Sequence, residues 1–191
     1  MVAQEEGRVA MTEFRLRVIE ALAQYGLPPE ILVLVVAMLP IFELRGAIPV
    51  GINYLHLPWA SVYLFAIIGN MVPVPVLLLI FQWLVRLGER IPILRRILAR
   101  TERRGKVIDR YKLIGLVIFV AIPLPVTGAW TGALAARIFN IPFPQAIVGI
   151  LAGVLIAGVI VTSLSLLGVL GAIIAGVGLI ILMVHSFLRK G

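Results

Sequence analysis

Residues 31–42, ILVLVVAMLPIF, are apolar without a gap, and then the pattern breaks: LPIFELRGAIPVGI (39–52) sets Glu43 and Arg45 between Pro40 and Pro49. A helix rises 1.5 Å per residue, so the apolar run reaches about 18 Å into a hydrocarbon core about 30 Å thick. It is too short to cross alone, and the pattern predicts a segment that enters and turns back. Residues 59–85 are long enough to span, but GNMVPVPV puts Pro73 and Pro75 in their middle. Proline removes a backbone donor and clashes one turn back, which predicts a kink. After residues 86–112 the theme returns in LIGLVIFVAIPLPVTGAWTGALAARIFNIPFP (113–144), where Pro123 and Pro125 interrupt a second short apolar run. Residues 143–168 and 170–188 read as spans. Gly149 and Gly153 stand in a GxxxG spacing that lets helix backbones approach closely in lipid. Near the N-terminus, residues 12–26 alternate apolar and charged positions, as an interfacial amphipathic helix does.

The two halves can be laid over each other at a constant offset of 84. Pro58 then meets Pro142, Trp59 meets Phe143, Ile67 meets Leu151 and Gly69 meets Gly153. Carried backwards, Glu43 meets Thr127 and Ala47 meets Thr131. Each half has the same order: a short apolar run, a broken polar stretch, a turn with proline, and a complete span. These patterns predict an all-α integral membrane protein of two inverted repeats, each a re-entrant helical hairpin plus a transmembrane helix. The expected divisions of this single membrane domain are an amphipathic segment (1–28), a first repeat (29–85), a basic connector (86–112), a second repeat (113–168) and a C-terminal transmembrane helix (169–191).

Composition agrees. The chain is 61% hydrophobic and 14% charged, against about 45–50% and about 25% in soluble domains. The net charge of +8 is concentrated: between Arg86 and Lys112 stand ten Lys/Arg and three acids. Basic residues beside spans mark the cytoplasmic side, and this segment and the C-terminus are expected there in a prokaryotic cell membrane. Leu87, Ile91, Leu94, Ile97 and Leu98 at helical spacing among the arginines also suit contact with anionic lipid. Nucleic-acid binding is not expected, because no aromatic residue interleaves the basic run before Tyr111. With no cysteine and no His/Asp/Glu cluster at ligand spacing, no metal site, thiol chemistry or cofactor is expected. No hydrolase or nucleotide-loop motif occurs, and Glu43 is the one acid plainly within the apolar region, so the chain is not expected to be an enzyme.

The candidate chemistry therefore lies in the breaks. A lone charge near mid-membrane costs roughly 2.5–3.5 kcal/mol on insertion scales. Glu43 and Arg45 together call for a partner, a watery cavity or a task. One reading makes them an ion pair that pins the fold. The other makes Arg45 the ligand of an anionic group and Glu43 a proton carrier or counter-ion. In PLPVTGAWTG (123–132), Thr127, Trp130 and Thr131 stand beside carbonyls that the prolines leave without donors, and Asn70 stands one turn before Pro73. Glu43, Arg45, Asn70, Thr127, Trp130 and Thr131 form the expected substrate or ion site. Pro40, Pro49, Pro73, Pro75, Pro123 and Pro125 are the expected helix breaks.

FELRGAIP (42–49) and PLPVTGAWTGA (123–133) carry a resemblance. The chain resembles the small prokaryotic membrane proteins named as small multidrug export proteins over residues 29–168. It is also distantly similar to the DedA or SNARE-associated superfamily. The first likeness implies export. The second implies two re-entrant loops in inverted repeats and movement of lipids such as polyprenyl-phosphate carriers. Members of that superfamily carry acids in one loop and arginines in the other, whereas here both charges share the first. The expected function is a secondary transporter or flippase for a small amphipathic or lipid-phosphate-type substrate, coupled to protons. A multidrug (organic cation) exporter and a non-transporting assembly protein are the alternatives. Membrane lipids and a further copy of the chain are the expected partners.

Overall fold

The structure, a computed structural model, describes residues 24–88, 107–123, 127–168, 170–171, 173 and 176–178. The expected amphipathic helix, most of the basic connector, Pro125 and most of the C-terminal span lie outside the described residues. Within them every regular element is a helix: α1 (Glu30–Met38), α2 (Glu43–Pro49), a π-helical turn (Val50–Tyr54), α3 (Trp59–Met71), α4 (Val74–Gly88), α5 (Val107–Ala121), α6 (Ala129–Ile138) and α7 (Phe143–Leu166).

The prolines explain most boundaries. Pro40 disfavours helical backbone in the residue before it, and Leu39 is extended, ending α1 at Met38. Glu43 then opens α2 from the left-handed region at φ +47°, which is uncommon for a residue with a side chain. Pro49 has no N–H for the carbonyl one turn back, and α2 widens after it into the π turn, where Leu55 N–H donates to the Val50 carbonyl at 2.8 Å. Pro73 and Pro75 interrupt the first long helix between α3 and α4 and strip the helical donors from the Gly69 and Met71 carbonyls. Even so, Trp59–Leu84 supplies 26 residues, and Phe143–Leu166 supplies 24, both apolar enough to cross a membrane. α5 begins at Val107, six residues before the expected start of the second repeat. Asp109, Arg110 and Lys112 change the composition there but do not break a helix.

The two halves share a backbone course at the offset of 84. His56 and Asn140 both take positive φ, 54° and 53°. Pro58 (φ −57°, ψ 129°) and Pro142 (φ −56°, ψ 145°) then lead into helices starting at Trp59 and Phe143. A Cβ on Gly69 would strike the Leu34 carbonyl, and one on Gly153 would lie 2.9 Å from the Val117 carbonyl. In each half, then, a glycine lets the long helix lie directly on the backbone of the short helix before it. Gly149 instead makes room for the side chains of Leu113 and Leu116.

α1 packs on α3 and α5 on α7, while α2 crosses to α7 and α6 crosses to α4. The interior is small and apolar (Ala37, Ala47, Ala66, Ala133, Ala146, Ala157), with Ile48, Ile150 and Val154 filling between. The large apolar side chains Leu64, Val76, Leu79, Trp83, Val148 and Val159 point outward. A water-soluble fold would bury these, because exposed apolar area on this scale is unfavourable in water. Small residues within and large ones without is the arrangement of helices packed in lipid. The molecule is a membrane protein. Arg137 is half-buried and donates from Nε to the Leu78 carbonyl of α4 at 3.0 Å, with its guanidinium 5.8 Å from the Phe143 ring centre.

Candidate functional site

The first break reaches the second through Glu43. α6 begins after Gly128, which has no side chain with which to cap it. Its first N–H groups lie in an apolar interior and need an acceptor. The Trp130 N–H donates to Glu43 Oε1 at 3.2 Å, and the Ala129 N–H also faces the carboxylate. Glu43, 6% exposed, thus caps a helix of the other half, where the helix dipole favours a negative charge. Gly128 is extended, a conformation open to any residue. Its glycine is required for space: a Cβ there would overlap the Glu43 carboxylate.

Arg45 completes the junction. Its Nη2 lies 4.0 Å from Glu43 Oε2 and donates to Thr127 Oγ1 at 3.3 Å. Thr127 donates in turn to the Ile122 carbonyl at 2.6 Å, next to the end of α5. Trp130 makes a second link, its indole N–H donating to the Met38 carbonyl at the end of α1 at 3.2 Å. The structure therefore brings Glu43, Arg45, Thr127 and Trp130 together. Thr131 is adjacent but bonds within its own turn, to the Gly128 carbonyl at 3.4 Å.

Asn70 is 1% exposed, and neither its Nδ2 nor its Oδ1 has a hydrogen-bond partner, so its amide does not answer the carbonyls that Pro73 and Pro75 free. Arg45 Nε is likewise buried without a partner, although the arginine side chain as a whole is 18% exposed. Among the described residues no cluster of His, Asp and Glu could hold a metal.

The sequence reading missed Gly128, the backbone donors of α6 and the Met38 carbonyl. The signal for the first two was present: Thr-Gly-Ala-Trp opens a helix with no Ser, Asp or Asn at the capping position, so an acceptor must come from elsewhere. Glu43 is the one buried acid among the described residues.

A family match takes in the first break from Glu43 onward and all of the second. The family described as "Putative small multi-drug export protein" matches residues 43–160, from Glu43 through both breaks into α7. The chain belongs to this family. Its description is that of an export protein and not of an enzyme. No curated protein and no solved structure matches the chain. The DedA likeness rests on the quoted motifs alone.

Proposed function

We propose that the protein is a secondary transporter or flippase that moves a small amphipathic or lipid-phosphate-type molecule through a proton-coupled site at the junction of two inverted halves. The observation that carries this is the meeting of Glu43 and Arg45 from one broken segment with Thr127 and Trp130 from the other.

Inversion is supported by where the pairs touch the long helices. The α2 side lies beside the start of the first span, with Gly51 on Val62. The α6 side lies beside its far part, through Arg137 and Leu78. The second span starts beside α6, with Gly132 near Ile150, and later meets the start of the first span, with Gly158 against Tyr63. These contacts favour antiparallel spans and breaks that dip from opposite faces. Broken backbone at membrane depth is tolerated where protein buries it or it lines water, and breaks that cover each other meet that need. Rocking of one half on the other must part Glu43 from α6 and Arg45 from Thr127, which couples access to the state of that junction. The basic connector on the cytoplasmic side of a prokaryotic cell membrane completes this reading.

A fastening role is the second reading, favoured by the commitment of Glu43 to the start of α6. Proteoliposome uptake with and without a pH gradient separates the two. Transport is expected in the wild type and is expected to be lost in folded Glu43→Gln and Arg45→Gln variants. Unfolding of both variants, with no wild-type movement of lipid phosphates or organic cations, would leave only the fastening role.

A further inference from the structure

We infer that α6 is a lever that carries α4 with it when the junction opens, and that the first span bends at Pro73–Pro75 to allow this while the second span stays straight. The inference rests on the transport reading, in which the junction parts, and it names the piece that moves.

Packing divides the first span between two groups of helices. α3 lies on α1, α2 and α7, with Gly69 against the Leu34 carbonyl and the Tyr63 hydroxyl donating to the Leu155 carbonyl at 3.2 Å. α4 packs chiefly on α6, where Arg137 Nε donates to the Leu78 carbonyl at 3.0 Å. The moving parts are therefore not the two halves of the sequence, because α4 follows α3 in the chain but leans on the second break. α6 is fastened at both ends. Its first turn is held by Glu43 and by the bond from the Trp130 indole to the Met38 carbonyl, and its last turn grips α4 through Arg137. Its 10 residues make a stiff rod of about 15 Å. Displacement at one end of such a rod is delivered to whatever the other end holds.

The joint between α3 and α4 suits bending. The Val72 N–H donates to the Ile68 carbonyl at 3.0 Å and the Leu77 N–H to the Pro73 carbonyl at 2.9 Å. Between them Pro73 and Pro75 have no N–H to give, so a change of angle here breaks fewer bonds than elsewhere along the span. Just before the joint stands Asn70, buried with both amide atoms unpartnered. An unpaired buried amide is costly, so this level has hydrogen bonds to gain from a second arrangement. The second span has no such place. From Phe143 to Leu166 its one proline, Pro144, lies in the first turn, where no helical bond is lost.

The test places pairs of spin labels on the full chain in lipid nanodiscs and reads distances by double electron–electron resonance. Leu84→Cys with Val148→Cys follows α4 against the second span, and Leu64→Cys with Val148→Cys follows α3 against the same reference; all three side chains are exposed. Gly128→Ala, whose methyl group overlaps the Glu43 carboxylate, forces the junction apart, and Glu43→Gln is the second way to loosen it. A bend of about 20° moves residue 84, about ten residues beyond the joint, by roughly 5 Å. That shift is expected for the Leu84 pair and not for the Leu64 pair. It is expected to vanish when Arg137→Leu is added, with Arg137→Gln in its place if the leucine variant does not fold, and to shrink with Pro73→Ala and Pro75→Ala together. Equal shifts of the two pairs would make the first span tilt as a whole and overturn the inference. So would a Leu84 distance unmoved in both junction variants, or a shift that survives the loss of Arg137. A lever that moves in a protein that transports nothing in proteoliposomes would defeat the transport reading and leave this one standing, and transport with a fixed α4 would do the reverse.

Discussion

The two breaks follow one backbone plan and carry opposite chemistry. The first, from Leu39 to Tyr54, holds the charges, with Glu43 in a left-handed conformation and a π turn after Pro49. The second, around Thr127 and Gly128, has no ionised side chain until Arg137 and offers a hydroxyl and an uncapped helix start instead. At the offset of 84 Glu43 is the counterpart of Thr127, and the two counterparts stand in one junction, bridged by Arg45. Identical halves would set two like charges, or two bare helix ends, against each other. The difference between them lets a carboxylate meet a dipole. The roughly 2.5–3.5 kcal/mol that a mid-membrane charge costs is offset by backbone donors that would otherwise be orphans.

Substitutions can break this complementarity from either side. The largest effect is expected from Glu43→Ala, which strips the cap from α6 and leaves Arg45 without its counter-charge. Removing one partner of a buried pair costs about 3–5 kcal/mol, to be read by denaturant unfolding in micelles. Glu43→Ala with Arg45→Leu is expected to cost less than the sum of the two single changes, because the pair is coupled; additive losses would mean that the residues do not share an environment. Next comes Gly128→Ala, approached from the second break, expected to cost about 1–3 kcal/mol because its methyl group overlaps the carboxylate. Gly115→Ala is the control: nothing lies within 4 Å of that position, so alanine is expected to leave stability unchanged or raise it by about 0.5–1 kcal/mol. Equal losses at the two glycines would remove the steric argument. Trp130→Phe keeps the ring but orphans the Met38 carbonyl, at about 1–2 kcal/mol, with the shift in thermal unfolding as the readout. The smallest change is expected from Thr131→Val, below about 1 kcal/mol, since its hydroxyl bonds only within its own turn. Thr127→Val should cost more, because that hydroxyl joins Arg45 to the Ile122 carbonyl.

Much of this was legible in the sequence where a residue type has a single physical consequence. The proline positions foretold the end of α1 before Pro40 and the interruption at Pro73, because a missing N–H has the same effect in any context. A charge pair inside an apolar run had to find partners, and the match of Glu43 with Thr127 at the offset pointed to the region that supplies them. The partners themselves were less legible. They are the backbone N–H groups of Ala129 and Trp130 and the Met38 carbonyl, groups that every residue carries and composition cannot mark. Gly128 has no side chain to mark a role, and only the approach of Glu43 gives it one. The unanswered amide of Asn70 was likewise invisible, since the absence of a neighbour has no sequence signature.

The central claim is that the two breaks dip from opposite membrane faces. The chain has no cysteine, so single cysteines report cleanly on sidedness. Ala60→Cys and Gln145→Cys stand at exposed sites in the first turns of the two spans. In sealed, oriented membrane vesicles an impermeant maleimide is expected to label one from outside only and the other only after the vesicles are opened. Labelling of both from the same face would make the spans parallel and contradict the account.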